Sequence, residues 1–229
     1  MKSIRAGLVL VFGMFCMSAY AAVTQLTFEG LQTNESVLNF YNGGTGSMGS
    51  AGPNLGVAFD SSALAIIDSD AAGGSANIAN EPSPSTVVYW VSGTSFTMNV
   101  AAGFDTGYAF FYSSSVPVTA TIYDGLNGTG TVLGTVNGPA QHNGNSCVGD
   151  PNGVFCNWTE LGVAFSGVAR SVVYTGVANQ TAFDNITFGS ASATAPSAQS
   201  IPTLSEWGLF ILSALIALGA VFGMRRRQA

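Results

Sequence analysis

The sequence predicts an all-β fold, a two-sheet jelly-roll-like β-sandwich preceded by a signal helix and followed by a transmembrane helix. Three observations carry this. Between Val23 and Gly189, about eleven short segments rich in Val, Ile, Phe, Tyr and Thr are separated by Gly, Asn, Ser, Asp and Pro, with no helical period. Within Ser95–Val100, the apolar side chains Phe96, Met98 and Val100 take every second place, as in a strand with one buried face. The stretch Ile122–Leu133 reads as a strand, a Gly/Asn-rich turn and a returning strand. Many short antiparallel strands of this kind pack naturally as two sheets.

The expected strands are Leu26–Glu29, Leu55–Phe59, Ala63–Ile67, Thr86–Val91, Ser95–Val100, Tyr108–Tyr112, Val118–Tyr123, Val132–Val136, Leu161–Phe165, Ser171–Tyr174 and Ala182–Phe188. Charged residues make up only 8% of the chain, against about 25% in an average globular protein. The 15 Phe, 7 Tyr and 3 Trp nevertheless supply more apolar surface than a disordered chain carries. Five of the 6 basic residues lie in the terminal segments. From Ala22 to Ser200 there is one basic side chain, Arg170, against eleven acids, a formal charge of −10. Such a body cannot neutralise a row of phosphates, which excludes nucleic acid as a partner.

Residues 1–21 form the first unit. Lys2 and Arg5 precede the apolar run Ala6–Met17, and Ala19-Tyr20-Ala21 places small residues where a signal peptidase reads. The Sec machinery and signal peptidase are therefore expected partners, with cleavage after Ala21. Lipidation at Cys16 is disfavoured by the bulky Phe15 before it. Residues 22–189 form the sandwich domain, and residues 190–200, which lack any large apolar side chain, read as a flexible linker.

Residues 201–229 form the last unit. Gly208–Met224 is an apolar run of 17 residues with Ser213 its only clearly polar side chain. As a helix it would span about 25 Å, just enough to cross a bilayer. Arg225, Arg226 and Arg227 follow at once and would stay cytoplasmic, leaving the body outside. The alternatives are a permanent single-pass anchor and a buried core helix. The second conflicts with a helix that is apolar all round and ends in three arginines.

Immediately before this run stand Ile201, Pro202, Thr203 and Leu204, two intervening residues, then Trp207 and Gly208. This pattern, with its apolar run and basic tail, resembles the IPTL-CTERM sorting signal. Such tails are similar to the PEP-CTERM signals read by exosortases. The resemblance implies an exosortase-like peptidase as partner, the helix as a transient membrane anchor, and delivery to the cell surface or extracellular matrix. The Pro202 ring also favours an extended, accessible segment there. Leu26-Thr27-Phe28-Glu29, Tyr123-Asp124-Gly125-Leu126 and Phe183–Gly189 resemble strands of the lectin-like sandwiches common in PEP-CTERM proteins, which implies fold and not activity.

The candidates for chemistry are few, and none is assigned a catalytic role. Cys147 and Cys156 are the cysteines that remain after signal removal, and in an oxidising compartment they are expected to form a disulfide. A metal site of these two with His142 and Asp150 is disfavoured, because the gap between the cysteines is unlike the short ligand spacings of structural zinc. The sole histidine, His142, lies in a polar loop with no Gly-x-Ser-x-Gly elbow anywhere in the chain. Asp68 with Asp70, or Glu29 with Asp184, are the carboxylate pairs a glycosidase would need. Glu29 and Asp184 read better as solvated strand ends or as ligands of a calcium ion joining the first and last strands. No other cofactor is implied. Five Asn-x-Ser/Thr triplets, at Asn34, Asn127, Asn157, Asn179 and Asn185, follow from composition. Tyr89-Trp90 and Trp158 are candidates for a sugar platform, although strand aromatics usually pack in cores. The resulting expectation is a non-enzymatic surface or matrix protein with a structural or adhesive role. The alternative is a carbohydrate-binding module whose partner is a surface polysaccharide, and a glycan hydrolase is a remote third.

Overall fold

The computed structural model describes residues 23–142, 147–150 and 152–193. The expected signal helix, the rest of the linker and the whole C-terminal signal lie outside these residues. Among the described residues no helix is long and apolar enough to cross a membrane.

Among the described residues, eleven strands form two antiparallel sheets. They are β1 (Thr24–Leu26), β2 (Val57–Phe59), β3 (Leu64–Ile67), β4 (Thr86–Tyr89), β5 (Ser95–Phe104), β6 (Gly107–Ser114), β7 (Val118–Tyr123), β8 (Val132–Gly138), β9 (Thr159–Ala164), β10 (Ala169–Thr175) and β11 (Thr181–Phe188). The first sheet runs β3-β4-β11-β6-β9, with β1 also paired to β11; the second runs β2-β5-β10-β7-β8. Ten strands fall where the alternation placed them. The first is shifted: Leu26 and Phe28 are both buried, but Phe28 takes φ +63° and turns the chain. Its N–H donates to the Tyr41 hydroxyl at 2.6 Å, so a buried aromatic follows the strand without belonging to it.

The core lies between the sheets and is largely aromatic. Val88, Tyr108, Phe110 and Phe183 of the first sheet meet Phe96, Met98, Ile122 and Tyr174 of the second in one buried cluster. Rings pack across the gap, with Phe96 edge-on to Phe183 at 5.9 Å and Tyr174 to Phe183 at 4.9 Å. Two apolar inner faces against each other are what the period-2 pattern requires.

Four of the triplet asparagines, Asn34, Asn127, Asn179 and Asn185, have positive φ. Asn tolerates this left-handed region better than most residues, so part of the Asn content is turn chemistry.

The folded body extends beyond Gly189. Ser190–Ala193, read from the sequence as the start of the linker, lie against the outer side of the first sheet. Glu160 accepts from the Ala193 N–H at 2.6 Å and the Ser192 hydroxyl at 2.7 Å, and Gln25 donates to the Ala193 carbonyl at 2.6 Å. A Cβ on Gly162 would come within 2.1 Å of the Ala191 oxygen, and one on Gly107 within 2.5 Å of its nitrogen. Only glycine leaves this trough open.

Candidate functional site

The outer faces of the two sheets differ in what covers them. On the first, the segment between β3 and β4 and the one leading into β9 fold back over the strands. They make a second apolar layer in which Ala76, Ile78, Val87 and Ala182 are buried and Ile66, Phe155 and Trp158 pack around them. Bridges pair Asp68 with Ala76 and Ile78 with Phe155, both parallel. A disulfide joins Cys147 and Cys156 beside Phe155.

A cleft of about 320 Å³ remains at the edge of this layer. Its apolar walls come from Ile66 on β3, Ala182 on β11, and Ile78 and Phe155 on the covering segments, with Tyr89 of β4 at its side. Asn77, Asn179 and Ser75 supply polar groups at the rim, and among the described residues no charged one lines it. Tyr89 is fixed by donating its hydroxyl to Asn34 Oδ1 at 2.5 Å. Phe155 is fixed through its backbone, its N–H reaching the Asn77 carbonyl and its carbonyl accepting from Ala79.

The candidate sugar platform is overturned at Trp90. Adjacent strand residues face opposite sides, so Tyr89 points outward while Trp90, with no exposed surface, stacks on Phe183 in the core. Trp158 is half-buried and donates its indole N–H to the Ala79 carbonyl at 2.9 Å, acting as a cover for the second layer.

Three of the carboxylates the sequence singled out, Asp184, Glu29 and Asp68, accept hydrogen bonds from the fold. Asp184, fully buried, accepts the Ser83 N–H at 2.7 Å, the Ser83 hydroxyl and the Asn185 N–H. Glu29 accepts the N–H groups of Ser85 and Thr86 at 3.0 and 2.8 Å. The two acids thus converge on the segment that begins β4, each on its own part of it. Asp68 accepts from the Asp70 N–H in a local turn. Among the described residues no group of three or more His, Cys, Asp or Glu side chains is arranged to hold a metal ion. His142 is exposed, with its ring against Phe155 at 5.6 Å.

Burial pushes the Asp184 carboxyl up to about 6, against the opposing hydrogen bonds from Ser83 and Asn185. Glu81, whose buried Oε1 has no hydrogen-bond partner among the described residues, is pushed up to about 7 by burial first and then by Asp68, Asp184 and Asp150. Glu35, which the sequence did not single out, is fully buried. Burial alone would raise its carboxyl, but hydrogen bonds from Ser50, Gln32 and Met48 outweigh that and hold it below its ordinary value. Glu160 was missed as well. Its role depends on a contact with residues 192–193, far along the chain, that no local pattern announces.

These features define a disulfide-linked antiparallel β-sandwich. Residues 199–227 match the family model of the IPTL-CTERM motif, so the chain carries this sorting motif in its C-terminal segment. No curated protein sequence matches the chain. Among solved structures it is similar to the K2 cleaved adhesin domain of Lys-gingipain, at 15% identity over 73% of this chain and 97% of that one, with a TM-score of 0.45. It is also similar to a family 29 carbohydrate-binding module from Piromyces equi, at 9% identity over 74% and 93%, TM-score 0.37. A family 6 carbohydrate-binding module matches at 17% identity over 57% and 85%, TM-score 0.35. None of these likenesses is close enough to carry a ligand to this chain, whose chemistry rests on its own residues.

Proposed function

We propose that this is an exported protein displayed at the cell surface or in the extracellular matrix, with a structural or adhesive role and no catalytic one. The observation that carries the reading is the sorting motif at residues 199–227. In this reading residues 1–21 direct export, an exosortase-like peptidase acts near Ile201–Leu204, and Gly208–Met224 with Arg225–Arg227 holds the chain in the membrane until then. The disulfide supports an oxidising destination. The engagement of Asp184 and Glu29 by backbone N–H groups supports a scaffold over a hydrolase, since catalytic carboxylates must be free to meet substrate.

The test is a pair of variants, Pro202→Ala and Trp207→Ala, expressed in the native host. Wild type is expected at the surface without its tail, and the variants in the membrane fraction at full length. Identical processing of variants and wild type would remove the sorting motif from the account. A second reading, a carbohydrate-binding module, is favoured by the uncharged cleft and no longer by Trp90.

A further inference from the structure

We infer that the cleft beside Tyr89 is a binding site for a neutral sugar ring, one or two units of a polysaccharide. This deepens the second reading above and concerns the body alone, so it stands whether or not the tail is cleaved. Its volume of about 320 Å³ lies at the lower end of the range for small-molecule sites, about 300–1,000 Å³.

Three properties select the ligand class. The first is charge. Among the described residues no charged side chain lines the cleft, and the body around it carries −10. Its one cation, Arg170, lies in β10 of the other sheet and donates to the Ala101 carbonyl at 2.6 Å. An anionic sugar would enter without a counter-ion and against a negative field, so uronic and sulfated units are disfavoured. The second is the wall. Tyr89 and Phe155, with Ile66 and Ile78, offer an apolar surface of the kind that packs against the C–H face of a pyranose.

The third is the rim. The side-chain amides of Asn77 and Asn179 take no hydrogen bond from any described residue, and both residues are exposed. An amide pairs a donor with an acceptor, which suits neighbouring sugar hydroxyls that each do both. A purely apolar ligand would leave these groups unused. The site is also preformed. Tyr89 is pinned by Asn34, and Asn179 is held at φ +60° with its N–H donating to the Trp90 carbonyl at 2.9 Å. Little ordering is left for binding to impose.

The experiment is isothermal titration calorimetry of the full chain, held in a detergent without a sugar head-group. The probes are maltotriose, cellotriose, xylotriose and β-1,4-galactotriose, with trigalacturonate as the charged counterpart. At least one neutral probe is expected to bind and trigalacturonate not to. The double variant Asn77→Ala/Asn179→Gly is expected to weaken binding about tenfold or more, the loss of two hydrogen bonds. Glycine keeps the left-handed backbone at position 179, and an unchanged Tm would show that the fold survives. Absence of heat with all four neutral probes would overturn the inference, and so would binding unaffected by the double variant or trigalacturonate binding as tightly as the neutral probes. Failure of the sorting reading would appear instead in the fate of the tail, which this measurement does not touch.

Discussion

The two sheets turn very different outer faces away from the shared core. On the second sheet, Thr97, Thr119, Thr121, Thr135 and Thr175 face outward in register, as in the row Thr135–Thr121–Val173–Thr97. These rows hold no charged side chain; Thr135 and Thr175 are exposed, Thr97, Thr119 and Thr121 are half-buried, and the turn after β7 reaches over Ser171 and Val173. On the first sheet, returning segments bury Val87 and Ala182 under a second apolar layer. The buried acid Asp184, the disulfide, the seat of Ser190–Ala193 and the cleft all belong to that side. The sandwich supplies a scaffold on both faces, and specific chemistry arises only where connections fold back over strands.

That comparison can be broken most sharply at the buried acid. Asp184→Ala leaves the Ser83 and Asn185 N–H groups without their acceptor and should cost about 2–3 kcal/mol in chemical denaturation. Thr121→Ala, its counterpart on the open face, should stay within about 0.5 kcal/mol. Equal losses would mean that the covered face is no more specified than the open one.

Reducing Cys147–Cys156 should lower stability by roughly 2–3 kcal/mol, the chain-entropy value for so short a loop. Hydrogen exchange would locate the effect. Faster exchange is expected at Ala79, Val154 and Phe155, whose N–H groups tie the covering segments together, and little change in β7 and β10. Uniform acceleration in both sheets would instead make the disulfide a clamp on the whole sandwich.

The dependence on pH tests the buried acids beside the first sheet more gently. Asp184 and Glu81 titrate higher in the folded protein, about 6 and about 7, than their ordinary 3.8 and 4.5. Folding therefore favours their protonated forms, and that stability is lost as pH rises through 6 to 7. Glu35, held low, has the opposite sign: its contribution is present above 4.5 and lost as pH falls through its folded value. Tm should rise modestly on acidification from pH 8 to about 5, then fall at lower pH. Glu81→Gln should flatten the first limb. A Tm that only falls from pH 8 downward would contradict the assignment. An effect as small as that of Thr121→Ala is expected of Asn77→Ala/Asn179→Gly, which should leave stability within about 0.5 kcal/mol.

Much of the scaffold was legible in the sequence because strand alternation is a local signal. Phe96, Met98 and Val100 announced their buried face without knowledge of any partner strand. The same rule states that Tyr89 and Trp90 cannot share a face, but not which one faces outward; that is decided by the packing of Trp90 against Phe96 and Phe183. The cleft was not legible. Asn77, Ile78 and Phe155 lie in aperiodic segments, and their meeting depends on a parallel bridge between positions 78 and 155. Glu29 and Asp184 were visible as a pair, yet their common target, Ser83–Thr86, is distant from both in sequence. Ser190–Ala193 read as linker because small residues signal flexibility, whereas here they fill a trough that Gly107 and Gly162 leave open.

The central claim is surface sorting, and the most direct test is the intact mass of the protein recovered from its native host, with membrane and extracellular fractions measured separately. The account predicts an extracellular species that lacks residues 1–21 and everything beyond roughly Ile201–Leu204, with any added mass identifying what replaced the tail. A mature species that keeps Arg225–Arg227 and occurs only in the membrane fraction would contradict it and make the apolar run a permanent anchor.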